Sequence, residues 1–183
     1  KILSILFLGA SIAVVAQSAK VVSAYNALNA GEYGKAIENI DMAINDAKTG
    51  AKEKTWRYRG DIYYAVAQST EDFGVSKADA VSKSLESYLK AKELDTKGNY
   101  EDKILNGIAL TQNLALNLGI QAYNENEFGT SRDMFLLAAE AAEKVGVTDT
   151  LAIYNAGLAA EQAEDYEVAI TQYYRAAETG YNG

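Results

Sequence analysis

The chain has 183 residues, a formal net charge of −8 at pH 7, and no cysteine, histidine or proline. Without cysteine there is no disulfide, no thiolate nucleophile and no lipoprotein anchor; without histidine the commonest general base and transition-metal ligand are gone. The acidic balance argues against a nucleic-acid partner, and the lack of proline suits a mostly helical chain. From Asn124 onward there are eleven acids and three bases, whereas the remainder holds fourteen of each. The excess therefore sits on the C-terminal third, where it reads as a solvated face or as a surface steering a basic partner.

Residues 1–16 read KILSILFLGASIAVVA. A basic start, an apolar run and small residues at its end make the layout of a secretory signal peptide cleaved after Ala16. The expectation is an exported protein, periplasmic or associated with the outer envelope. A membrane anchor is the alternative, but the run is shorter than the roughly 20 residues a span requires. Membrane contact is expected only through this segment, if it stays uncleaved.

Residues 17–50 form a first helical pair. Val21, Val22, Ala24, Ala27 and Leu28 lie at helical steps on its first helix, Gly31 breaks it, and Tyr33, Ala36, Ile40 and Ala43 mark the second, with Gly50 as its stop. Residues 51–97 form a second, longer pair. Trp56, Arg59, Gly60 and Tyr63 lie on its first helix, and Ser84, Tyr88 and Ala91 on its second. The excess length falls between Ala67 and Ala78 and reads as an extended first helix, a loop around Thr70 to Val75, and Ser76 as N-cap.

Residues 98–147 form a third pair. Asn99 and Asp102 resemble a capping pair. Ile104, Ile108, Ala115, Leu118 and Ala122 then keep one helical phase without a breaker, which predicts a long helix from Tyr100 to Asn124. Phe128, Ser131, Phe135 and Ala138 follow on the second helix, Gly146 ends it, and Thr148 or Asp149 caps the next. Residues 148–183 hold the clearest pair. Ile153, Ala156, Gly157 and Ala160 share one helix face, and Tyr166, Ala169, Tyr173 and Ala176 share the other, with Tyr166 and Tyr173 expected to fill the space towards a neighbouring pair. No polar cap follows, so the natural protein is expected to continue beyond Gly183.

These residues resemble the tetratricopeptide repeat. Ile153 stands at the family's Trp place, Ala156-Gly157 at its Leu-Gly place, Ala160 at its Tyr place, and Lys92-Glu93-Leu94-Asp95 is similar to the common end of its second helix. The resemblance implies an all-α fold, an α-solenoid of about four repeats over residues 17–183, with a concave groove lined by the first helix of each repeat. It places Lys54, Arg57, Tyr58, Asp61 and Tyr64 in that groove from the second repeat. Asn113, Asn117, Tyr123 and Asn124 come from the third, and Tyr154, Asn155, Glu161 and Gln162 from the fourth. The first repeat offers Val21, Val22, Tyr25 and Asn29. With Val21 and Tyr25 at the places where some members clamp a C-terminal carboxylate, that clamp is not implied.

Asparagine both donates to and accepts from an extended backbone, tyrosine supplies contact area at low entropic cost, and arginine is a frequent anchor. The expected partner is thus a protein or extended peptide, with Arg57 and Asn117 foremost among the contacts. Self-association or assembly into an envelope complex through the open C-terminal end is the alternative. No catalytic constellation, cofactor or metal site is expected. The stretch DTKGNYE from Asp95 to Glu101 has Lys97 and Tyr100 where a calcium loop needs an oxygen ligand and a glycine, and Glu164 with Asp165 suits a helix start better than acid–base work.

Overall fold

The computed structural model describes residues 19–181, and within them every regular element is an α-helix. The expected signal segment, residues 1–16, lies outside the described residues. The helices are α1 (19–29), α2 (Tyr33–Ile44), α3 (Glu53–Gln68), α4 (Lys77–Leu94), α5 (Glu101–Asn124), α6 (Phe128–Lys144), α7 (Thr150–Gln162) and α8 (Tyr166–Glu178). They fall into two compact units, one through Ile104 and the other from Leu105.

Three turns repeat one geometry. The amide of Glu32 bonds the carbonyl of Ala27, that of Glu127 bonds Ala122, and that of Asp165 bonds Ala160, at 2.9, 2.8 and 2.9 Å. The residue before each, Gly31, Asn126 or Glu164, has a φ of 74°, 63° or 61°. This left-handed residue satisfies the last carbonyls of the first helix and sends the chain straight back. Ala27, Ala122 and Ala160 are thus carbonyl acceptors at the turns as well as packing positions.

Three of the four hairpins close on a glycine, and α1 has Ala24 at the equivalent place. A Cβ at Gly60 would lie 2.9 Å from the Tyr88 ring, one at Gly119 3.0 Å from Phe135, and one at Gly157 2.8 Å from Tyr173. The ring of the second helix therefore rests directly on the backbone of the first. Beside it, the hydroxyls of Ser84 and Ser131 donate to the carbonyls of Gly60 and Gly119 at 3.0 and 2.8 Å. Gly60 and Tyr88 are farther apart in sequence than the other two pairs because residues 69–76 intervene and α4 begins a turn earlier. Ser76 caps α4 by accepting from the Asp79 amide, as the sequence indicates. Phe73 in the intervening loop packs edge-on to Tyr33, with ring centroids 5.8 Å apart.

The first unit also contains a buried guanidinium. Arg59, 6% exposed, donates through Nε to Asp41 of α2 at 2.9 Å and through Nη1 to Ser87 of α4 at 2.7 Å. The Tyr63 hydroxyl donates to the other oxygen of Asp41 at 2.6 Å. Burial of a charge is tolerable only with such partners.

Several sequence expectations change. Val22 is 53% exposed and not part of the α1 core, while Val21, Ala24 and Ala27 are buried. Helix α2 ends at Ile44 rather than near Gly50, because Asp46 accepts from the amides of Lys48 and Thr49 and the Thr49 hydroxyl donates to the Ala43 carbonyl, so the helix end is taken up locally. These amides lower the Asp46 pKa, that of Thr49 most of all. Ahead of α5 the amides of Asn99 and Tyr100 bond the Asp95 carboxylate, so Asp95 organises the turn in place of an Asn99–Asp102 pair. Tyr166 is 60% exposed and fills no internal space. Asp149 is the cap of α7, and Asp165 caps α8 by accepting from the Val168 amide.

Gly60→Ala should lower stability by about 1–3 kcal/mol in urea unfolding, since the added methyl meets the Tyr88 ring. Gly129→Ala, where nothing lies within 4 Å, should instead raise it by about 0.5–1 kcal/mol. Glu164→Gly should also stabilise, by roughly 0.5–1 kcal/mol, because relief of the left-handed strain exceeds glycine's added chain entropy; an unchanged or lower urea midpoint would contradict this.

Candidate functional site

In the first unit, Lys54, Arg57, Tyr58, Asp61 and Tyr64 occupy one face of α3 at three- and four-residue steps. Their side chains are heavily committed to one another. The Tyr25 ring of α1 stacks on Tyr58 at 4.5 Å between centroids. The Arg57 guanidinium lies 5.0 Å from the Tyr58 centroid and 4.9 Å from that of Tyr100, and Lys54 Nζ lies 5.3 Å above Tyr58. Arg57 is only 8% exposed and donates to Glu53, one helical turn earlier. Two rings and a carboxylate thus enclose the guanidinium, and its charge is spent within the unit. Arg57→Ala would act on stability first.

Asp61 continues this face inward. It accepts from the Tyr88 hydroxyl at 2.6 Å, on the same ring that rests on Gly60. Burial raises the Asp61 pKa, and the Tyr88 bond with the charges of Arg57 and Lys103 only partly opposes it. Burial, reinforced by the Asp61 charge, also pushes Tyr88 above the ordinary phenol value. Tyr64 is half-buried beside them.

The second unit is more open. On α5, Asn113, Asn117, Ile120 and Asn124 follow one another at steps of four, three and four, and so share a face. Ile120, Tyr123 and Asn124 of α5, Phe135 of α6, and Asn155 and Leu158 of α7 line a pocket of about 210 Å³. Ile120 is 51% exposed at this pocket. Among the described residues, the side-chain amides of Asn113, Asn117, Asn124 and Asn155 bond no protein group. Those of Asn39 and Asn45, in contrast, donate to the carbonyls of Lys35 and Asp41. The pocket therefore combines an apolar floor with two uncommitted amides, while Asn113 and Asn117 extend the polar row along α5.

The remaining expected residues border this region. Tyr123 packs edge-on to Phe128 at 5.3 Å. Tyr154 lies 5.7 Å from Tyr173 and 4.5 Å from Tyr181. Glu161 accepts from the Tyr173 hydroxyl at 2.6 Å, and Gln162 is exposed. Burial, with the Glu161 bond and charge, raises the Tyr173 pKa. The structure thus brings Tyr123, Asn124 and Asn155 together, and separately Lys54, Arg57, Tyr58 and Asp61. Sequence reasoning passed over Ile120, Phe135 and Leu158 as pocket walls and Tyr100 as a cover for Arg57. Ile120 was detectable, since it sits three residues after Asn117 and four before Asn124; Tyr100 offered no signal, because it precedes its helix.

Among the described residues, no cluster of three acidic side chains could hold a metal ion, and no helix is long and apolar enough to cross a membrane. Glu164 and Asp165 form the turn and cap of α8, with Asp165 also accepting from Arg132 at 2.8 Å. Compared with known proteins, the chain matches no family model and no curated sequence.

The raised pKa of Asp61 has a defined sign. Its native state takes up a proton at higher pH than the unfolded chain does, so its contribution to stability falls as pH rises from the ordinary carboxylate range through the native value. Asp61→Asn keeps an acceptor for Tyr88 and removes the buried charge. The variant should therefore gain stability relative to the parent between pH 3.5 and pH 7 in urea titrations; a stability difference independent of pH would contradict this account.

Proposed function

We propose that the chain is an exported interaction scaffold of the tetratricopeptide-repeat type, which binds a protein or an extended peptide on the first-helix faces of its repeats. The observation that carries this reading is the second unit's pocket. Its apolar floor of Ile120, Phe135 and Leu158 suits one large apolar side chain, and the free amides of Asn124 and Asn155 stand where a peptide backbone could be met. The row of Asn113 and Asn117 lengthens the same polar track. Desolvated amides paired with a strand's N–H and C=O groups give register, while the pocket gives side-chain preference.

The first unit contributes in another way. Arg57 is closed between rings, so the exposed edges of Tyr25 and Tyr100 and the Lys54 ammonium are what α3 and its neighbours present to a partner. Tyrosine edges of this kind are adaptable contact surfaces rather than charge-specific clamps. Export rests on the layout of residues 1–16 alone.

The test is a pull-down from envelope extract with residues 17–183 as bait, followed by affinity measurement on whatever is retained. Asn117→Ala and Asn155→Ala should each weaken binding roughly tenfold, the value of about one well-formed hydrogen bond left unmade, with helicity unchanged by circular dichroism. Retention unaffected by both changes would sink the assignment of this face.

A further inference from the structure

The outer face of α8 is apolar and open. Tyr166, Ile170 and Tyr174, one turn apart, are 60%, 56% and 71% exposed. The preceding hairpin shows what the same face does inside the protein. Pairing Gly119–Phe135 with Gly157–Tyr173 sets the register, so that Arg132 of α6 corresponds to Ile170 and Leu136 to Tyr174. Leu136 packs against a cluster containing Ala156 and Ala159 of α7, and Arg132 bonds Asp165 at the end of that helix pair's turn. In the first unit the corresponding residue of α2 is Asp41, which takes Arg59 and Tyr63 of α3. In both units, then, this face of a second helix is where the next first helix seats.

The matching surface of a first helix is equally defined. In α7 it is Ala152, Ala156 and Ala159, all fully buried. The shared turn bonds align Ala27 with Ala160, which places Ala19, Ser23 and Asn26 of α1 at those three positions. Ala19 and Asn26 are exposed and Ser23 is half-buried. One molecule therefore displays a bulky face at α8 and a small-residue face at α1 in the register of its own internal contact, with Ser23 and Asn26 where α7 has alanines.

We propose that α8 of one molecule receives α1 of a second copy, with Ile170 and Tyr174 packed over Ala19, Ser23 and Asn26. The contact uses two different surfaces, so it is head to tail. It also uses surfaces apart from the asparagine face of α5 and goes beyond the peptide-binding reading.

The test uses the full chain and two double variants. Ile170→Glu with Tyr174→Glu spoils the α8 face, and Ala19→Glu with Asn26→Glu spoils the α1 face; all four residues are exposed, so circular dichroism should show unchanged helicity. In sedimentation, the parent should associate as concentration rises, and each variant alone should stay monomeric. An equimolar mixture should form a one-to-one dimer and nothing larger, because it holds one intact face of each kind. A parent that is monomeric throughout, a variant that still associates like the parent, or a mixture that stays monomeric would overturn the proposal. Both variants retain residues 1–16, so association through that apolar run would appear as the second of these outcomes.

Discussion

A ring resting on a glycine backbone is the contact from which the rest of this structure follows. At Gly60, Gly119 and Gly157 a Cβ would stand 2.8–3.0 Å from an aromatic ring, closer than packed atoms tolerate. The contact fixes how near two helices lie and which of their residues meet. Once the ring is seated, its edge is delivered to a set place: the Tyr88 hydroxyl reaches Asp61, and the Tyr173 hydroxyl reaches Glu161. The polar groups of the first-helix faces are thereby held from beneath. In the α3/α4 and α7/α8 hairpins, packing and surface chemistry are one arrangement seen from two sides.

The two units use that arrangement differently. In the first, positive charge and aromatic surface are folded into each other, with Arg57 enclosed by Tyr58 and Tyr100 and anchored to Glu53. In the second, the first-helix residues are largely asparagine and aliphatic, and they leave a pocket instead of a filled stack. A cation between rings is strong when desolvated, so Arg57 in the first unit is committed to its own neighbours. The second unit's amides carry no such commitment and remain available to another molecule.

Much of the fold was legible because glycine and small residues recur at helical spacing. The long α5, the loop before Ser76 and the Asp149 cap all follow from breakers, caps and phase. The misplacements have local physical causes. Gly50 looked like a helix stop, but Asp46 and Thr49 had already gathered the end of α2 by side-chain bonds. Val22 has the hydropathy of a core residue yet lies one step off the buried stripe of Val21, Ala24 and Ala27. At the candidate site, spacing located the asparagines, since a face is a periodic property. It did not reveal that Arg57 is enclosed, because Tyr100 approaches from the loop ahead of α5, and that distance is not encoded in α3. Glu164 in a left-handed turn was also hidden, as nothing about glutamate favours that conformation.

Arg59 has a bearing on how the molecule breathes. Its guanidinium is bonded to Asp41 on one side and Ser87 on the other, so detaching either α2 or α4 would leave a charge facing apolar surroundings. Helices α2, α3 and α4 are therefore tied into one opening event, a single cooperative block rather than two hairpin arms that fray in turn. The second unit has Ala156 at the equivalent place, and its helices α6, α7 and α8 are joined by apolar contact and by the half-exposed pairs Arg132–Asp165 and Arg175–Glu143. At that place the second unit carries no buried charge to tie its helices to one another.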